Sequence, residues 1–164
     1  MRVDRELIRF LKTLPSGQEA VEAIRKRTIL QLENPNNDPM VERIFGRINE
    51  VKGQVLDIGC YSGWLYHYLG KPKGYIGIDI WPEMIQVAKE FFPEGDFRCM
   101  HAMDWKDPVE FVWCSQLSFG NRTPEVVKHF KTIGAHGVAI LRINEIEMLG
   151  EKCERFGHQG VVRW

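Results

Sequence analysis

The chain predicts an α/β domain built on a doubly wound, mainly parallel sheet with helices on both faces, and three observations carry that prediction. From Gly53 onward, short apolar runs alternate with segments of helical spacing. The first apolar run ends in a glycine-bearing turn, Gly59-Cys60-Tyr61-Ser62-Gly63, and open α/β sheets bind ligands at such turns. The second run ends in an acid, Asp79, twenty positions after Gly59. Runs that are apolar almost throughout are buried on both faces, which is the signature of parallel sheets covered by helices.

The elements follow in order. Residues 1–50 read as a charged, helical N-terminal extension, and residues 51–164 as the core of the domain. Leu7, Ile8, Phe10, Leu11 and Leu14 fall at helical spacing before Pro15 and Gly17. A second helix is predicted from Gln18 to Leu32, with Val21, Ile24, Ile29 and Leu32 inward. The run Asn34-Pro35-Asn36-Asn37-Asp38-Pro39 is a loop. A third helix starts there, with Asp38 as N-cap, Pro39 as first residue, and Val41, Ile44, Phe45 and Ile48 as its stripe.

Strands are then predicted at Gln54 to Ile58, Tyr75 to Ile80, Phe97 to Met100, Val109 to Cys114, Val138 to Ile143 and Gly160 to Trp164. Helices are predicted at Trp64 to Leu69, Pro82 to Phe92, Pro124 to Thr132 and Asn144 to Phe156. Only one strand follows the last helix, so the sheet is expected to have a short C-terminal end. The edge at Val161-Val162-Arg163 would then be open, which invites pairing with another copy of the chain.

Composition narrows the function classes. The 164 residues suit one domain. With 22 basic and 22 acidic side chains, a strongly electrostatic nucleic-acid binder is disfavoured, although a local basic patch can hide in a neutral total. Cys60, Cys99, Cys114 and Cys153 have no CxxC spacing, so no metal site is expected. Most of these thiols sit in apolar runs, which suits a reducing compartment and the cytoplasm. No apolar run approaches the ~20 residues of a membrane helix.

The stretch Val55-Leu56-Asp57-Ile58-Gly59-Cys60-Tyr61-Ser62-Gly63 carries the chemistry. Dinucleotide folds place G-x-G-x-x-G here, with pyrophosphate on the helix N-terminus. This chain instead has Gly59-x-x-x-Gly63 with Asp57 before the first glycine. A carboxylate there repels pyrophosphate and attracts a ligand carrying ammonium and sulfonium charges. Asp79 can accept hydrogen bonds from two ribose hydroxyls, which suits NAD equally. Ile80 and Trp81 offer surfaces for an adenine face. The alternative readings are that Asp57 caps its turn and that Asp79 is a surface turn residue.

The ordered series VLDIGCYSGWL, YIGIDIWPEMIQVAKE, FRCMHAMDW and VEFVWCS resembles class I S-adenosylmethionine-dependent methyltransferases, a Rossmann-like family, over roughly residues 53–145. The resemblance implies S-adenosylmethionine as cofactor. It places Asp57, Gly59, Cys60 and Gly63 at the methionine end and Asp79 at the ribose. Ile80 and Trp81 would flank the adenine, with His101, Ala102 and Met103 along its edge. Cys114 would offer its carbonyl to the ammonium. Tyr61 stands where the family has a glycine, and can cover the methionine carboxylate. His101 replaces a common acid, for which Asp104 can substitute. The family also closes its sheet with a reversed pair of strands, for which this chain shows room for one.

In that fold the third strand lies at the edge and the fourth beyond the first. Their connection must cross roughly 14 Å. Residues 101–108 reach about 27 Å at most when extended, so a taut link without a full helix is expected.

Methyl transfer needs an aligned acceptor and exclusion of water rather than covalent catalysis. The acceptor is unidentified, with a small molecule favoured. Candidates to touch or deprotonate it are Tyr61, Ser115, Gln116, Asn121, Asn144 and Glu145. The three N-terminal helices would form a lid. Cys114-Ser115-Gln116-Leu117 lacks the Asn/Asp-Pro-Pro-aromatic sequence of enzymes that methylate amino groups in DNA. Arg25-Lys26-Arg27 reads as a solvated helix face, with phosphate contact as the alternative. Trp64, Trp105 and Trp113 read as core, and His67, His129, His136 and His158 as structural. A regulatory domain that binds without turnover, and an NAD-dependent oxidoreductase, are the competing functions.

Overall fold

The computed structural model describes residues 17–33, 51, 53–115, 119–150, 152–156 and 159–164. The first and third expected N-terminal helices lie outside them. The second is α1 (Gly17–Glu33). The core then runs β1 (Val55–Ile58), α2 (Trp64–Tyr68), β2 (Tyr75–Asp79), α3 (Pro82–Phe91), β3 (Asp96–Cys99), β4 (Val109–Ser115), α4 (Thr123–Ile133), β5 (Gly134–Arg142), α5 (Ile143–Leu149), β6 (Glu154–Phe156) and β7 (Gln159–Arg163). Short 3-10 turns occupy Ala102–Asp104 and Gly120–Arg122. The link from β3 to β4 thus holds one such turn and no full helix.

The seven strands form one sheet in the order β3-β2-β1-β4-β5-β7-β6. The first five strands are parallel, and β7 and β6 are antiparallel. The mainly parallel α/β fold is the one expected; its C-terminal end is not. Two strands close the sheet instead of one. The helix expected to run to Phe156 stops at Leu149, because Gly150 turns left-handed at φ 64°. That frees Glu154–Phe156 to form β6. Val161 is hydrogen-bonded between β5 and β6, so the edge expected at Val161-Val162-Arg163 is not an open one there.

Alternation in the strands sorts side chains into two cores. Val55, Tyr75, Phe97, Phe111, Trp113, Val138 and Ile140 face α2 and α3. Leu56, Ile58, Ile78, Val112, Ala139 and Leu141 face α4 and α5. Trp64, Trp105 and Trp113 are core residues, as their setting predicts. A third cluster joins Ala20, Val21 and Ile24 of α1 to Met84 and Val87 of α3. The buried stripe of α1 continues through Thr28, while Ile29 is 40% exposed, a correction to the stripe drawn through Ile29. Thr28 spends its hydroxyl internally, donating to Ile24 O at 2.9 Å and meeting Ser62 Oγ at 2.6 Å. That pairing makes its burial tolerable.

At the far end of the sheet, Trp164 exchanges backbone hydrogen bonds with Gly137 at 3.0 and 3.2 Å. Its indole N–H donates to Gly134 O at 3.3 Å. The ring lies where a Cβ on Gly137 would sit, so only glycine fits.

Candidate functional site

The carboxyl ends of β1 and β2 bring the two expected acids onto one face. Asp57 pairs in register with Gly77 and with Trp113, and Asp79 lies two residues beyond Gly77 on β2. Gly77 is required there: a Cβ would come within 2.8 Å of the Phe97 ring and 3.0 Å of Cys60. The turn after β1 folds back on β2, with the N–H groups of Gly59 and Cys60 both donating to Ile78 O, at 2.8 and 3.0 Å. Gly59 (φ 73°) and Gly63 (φ 81°) are left-handed, and so is Tyr61 (φ 52°) between them. For a tyrosine that conformation costs about 1–2 kcal/mol.

Three contacts hold the turn against that cost. The Tyr61 N–H donates to Asp79 Oδ2 at 3.1 Å. The Tyr61 side chain, half-buried, packs on the α1–α3 cluster. Ser62 meets Thr28 of α1. Tyr61 therefore leans on the N-terminal helix. Gly63 serves packing, since a Cβ there would strike Phe97 and Phe92.

Asp57 is 2% exposed, and its Oδ2 accepts the Tyr75 hydroxyl at 2.5 Å. Burial pushes its carboxyl up to about 7, against the opposing pull of the Tyr75 hydrogen bond. Asp79 accepts from the Tyr61 and Trp81 N–H groups, and burial raises its carboxyl too. Among the described residues neither acid forms an ion pair. Two buried acids held this way suit a ligand with a cationic pole. Beside them Ile80 is 58% exposed, whereas the Trp81 ring packs on the α1–α3 cluster.

After β3, His101 is exposed, and its Nδ1 accepts the Met103 N–H at 3.2 Å, capping the 3-10 turn. Ala102 and Met103 are half-buried on the second core. Cys60 and Cys114 are both buried, and burial pushes both thiols up, so neither is a thiolate.

Along the same edge of the sheet, Ser115 ends β4 and pairs with Ile140. Gln116 lies outside the described residues. Asn121 and Asn144 are exposed. Glu145 is not available as a base, contrary to its place among the candidates. It is 1% exposed, and its Oε1 accepts the N–H groups of Phe119 (2.8 Å) and Gly120 (3.0 Å) and the Thr123 hydroxyl (3.3 Å). Its Oε2 accepts the Arg142 N–H at 3.1 Å. Glu145 braces the segment after β4 against the start of α5.

Sequence reasoning missed Tyr75, Thr28 and this role of Glu145. Thr28 left one sign, a hydroxyl at helical spacing from Val21 and Ile24. The partners of Tyr75 and Glu145 are contacts between separate segments, which leave no local pattern.

A family model described as a methyltransferase domain matches residues 55–136, half of the chain. No curated protein sequence matches. Among solved structures, the chain is similar to a ribosomal protein L11 methylase from Lactobacillus delbrueckii subsp. bulgaricus, with 12% identity and TM-score 0.59, over 73% of this chain and 72% of that one. It is also similar to a magnesium protoporphyrin IX methyltransferase from Synechocystis PCC 6803, with 13% identity and TM-score 0.58, over 92% and 84%. A third is a plantazolicin methyltransferase, with 16% identity and TM-score 0.54, over 80% and 65%. At these identities the likeness is one of fold, and the family match adds the activity. The turn, the two acids and the strand order agree with both, and the chain belongs to the methyltransferase domain family of class I, S-adenosylmethionine-dependent enzymes.

Proposed function

We propose that this chain holds S-adenosylmethionine across the tips of β1 and β2 and passes its methyl group to a small-molecule acceptor. The observation that carries the reading is the pair of buried acids, Asp57 and Asp79, on one face and without a cationic partner among the described residues. When bound, the cofactor supplies a methyl group already activated on a sulfonium. The protein's work is to bind, orient and exclude water.

Asp79 accepts from the ribose hydroxyls with lone pairs left beyond its two peptide donors. Asp57 opposes the ammonium, and the Cys114 carbonyl lies alongside it at the end of β4. Exposed Ile80 offers an apolar surface to the adenine, with Ala102, Met103 and the His101 cap along its edge. Tyr61 shapes the turn from the side of α1. Asn121 and Asn144 are exposed and suited to orient an acceptor by hydrogen bonds.

A small molecule is favoured over nucleic acid because three of the described arginines carry acidic partners. Arg25 is held by Glu22 and Glu90, Arg98 by Asp96 and Arg122 by Glu125. Two of the neighbouring structures are named for magnesium protoporphyrin IX and for plantazolicin; another is named for a ribosomal protein. The described cysteines are all free, which supports a reducing compartment such as the cytoplasm. No described helix is long and apolar enough to cross a membrane.

Titration calorimetry with S-adenosylmethionine, S-adenosylhomocysteine and NAD tests the cofactor. Binding of the first two and not of NAD is expected, and NAD binding alone overturns the reading. Incubation with methyl-labelled cofactor and a panel of small acceptors, a basic peptide and RNA tests the acceptor class. Label transferred only to the peptide or the RNA rejects the small-molecule assignment.

A further inference from the structure

The face that carries Asp57 is built unlike a surface ligand site. Tyr75, Val55 and Phe111 lie in one row across β2, β1 and β4, and Gly77, Asp57 and Trp113 in the next. Tyr75 reaches diagonally from the lower row, its ring packed against Tyr66 at 5.0 Å and Phe97 at 5.9 Å between centroids. From that fixed seat its hydroxyl, itself buried, donates to Asp57 Oδ2. A phenol buried this deeply stays protonated: burial, with nearby acids, pushes it well above its ordinary value. It is therefore a permanent donor, and the proton in the bond lies on the oxygen side of the tyrosine.

We propose that Tyr75 is a positioning residue for cofactor binding: by occupying one oxygen of Asp57 from beneath the turn, it fixes the carboxylate and favours its charged form opposite the ammonium of the methionine end. The inference rests on the reading that Asp57 meets that ammonium. A buried carboxylate without a donor takes up a proton, and a neutral acid loses its attraction for a cation. Gly77, beside Asp57 in its row, brings no side-chain donor, the space over it being filled by Phe97 and Cys60, and the indole N–H of Trp113 in the same row has no hydrogen bond among the described residues. Tyr75 is thus the observed side-chain donor to Asp57. Among the described residues, the titratable groups that interact electrostatically with Asp57 are Tyr75 and Asp79 from β2, Cys60 from the turn and, from the other face of the sheet, Cys114 of β4, with Tyr66 of α2 acting on Tyr75. None of them is a cation.

The test compares two ligands by calorimetry between pH 5.5 and 8.5. S-adenosylhomocysteine carries the ammonium, and 5′-methylthioadenosine lacks that end of the molecule. In the wild-type protein, affinity for the first should fall as pH drops below about 7, where Asp57 protonates, while affinity for the second stays flat. Tyr75→Phe keeps the packed ring. It should weaken S-adenosylhomocysteine roughly 10-fold at pH 7.5 through loss of a charge-assisted hydrogen bond. It should also move the pH fall upward and leave 5′-methylthioadenosine unchanged. Equal weakening of both ligands, or a wild-type profile in Tyr75→Phe, overturns the inference. Asp57→Asn separates the two levels. If it too binds S-adenosylhomocysteine at wild-type affinity, the assignment of Asp57 fails; if it binds weakly beside an unaltered Tyr75→Phe, only the role of Tyr75 fails. A wild-type affinity independent of pH overturns the inference even if the variant does not fold.

Discussion

On the β1–β2 side of the sheet Asp57 receives one hydroxyl and Asp79 two peptide N–H groups, whereas on the β4–β5 side Glu145 receives four donors from residues 119–123 and 142. All three acids are buried. The difference is in how their lone pairs are used. A carboxylate has about four acceptor sites, so Glu145 is saturated by the protein and acts as a brace. Asp57 and Asp79 keep capacity, and burial raises both. On the proposed function, that spare capacity is what the cofactor would take up.

The largest effect that would test this contrast is on stability. Glu145→Ala strands donors from two segments and should cost about 3 kcal/mol or more, lowering Tm by roughly 6–12 °C. Glu145→Gln should lose less. If Glu145→Ala unfolds at the wild-type denaturant midpoint yet loses methyl transfer, Glu145 belongs with the chemistry after all.

Asp57→Asn should act in the opposite direction. The carboxyl of Asp57 rises on folding from about 4 to about 7, so between these values the folded protein binds more protons than the unfolded chain. Stability from this residue therefore falls as pH rises through that window and stays low above it. Replacing the acid by an amide should stabilise the ligand-free protein at pH 8 by on the order of 2–4 kcal/mol, with little gain at pH 4. Thermal denaturation at both pH values reads the effect. An equal gain at the two would mean that charge is not its source.

A smaller change is expected in binding. Asp79→Ala should weaken S-adenosylhomocysteine by about 1.5–3 kcal/mol for each charged hydrogen bond lost. The turn also loses its Tyr61 anchor, so circular dichroism must show the fold retained. Unchanged affinity removes Asp79 from the site.

Smallest of all, Thr28→Val cuts the link between α1 and the turn and should cost about 1 kcal/mol in urea denaturation. Thr28→Ser should restore it. No loss in Thr28→Val would mean that packing alone docks α1.

What the sequence revealed follows the same division. The turn after β1 and the acid ending β2 are local signals: apolar runs, glycines where the backbone goes left-handed, and a carboxylate at a strand end. The parallel core came from the same reasoning, and the taut link over 101–108 from the strand order that the family resemblance implied. The C-terminal hairpin did not, although Gly150 announced the end of α5. Residues 154–156 are too short and too polar to show as a strand without β7 beside them. Glu145 looked like a free acid because three of the donors to it lie 22 to 26 residues away. Thr28 and Tyr75 fall under the same rule: a contact between segments has no sequence pattern of its own.

The seat of Trp164 has a practical meaning. Because its backbone and indole are fastened to Gly134 and Gly137, where β5 begins, the residue sits at the end of the sheet opposite the carboxyl ends of β1 and β2. A surface tether attached on that side would leave the proposed site facing solution, and an immobilised protein should then take up S-adenosylhomocysteine as freely as one in solution.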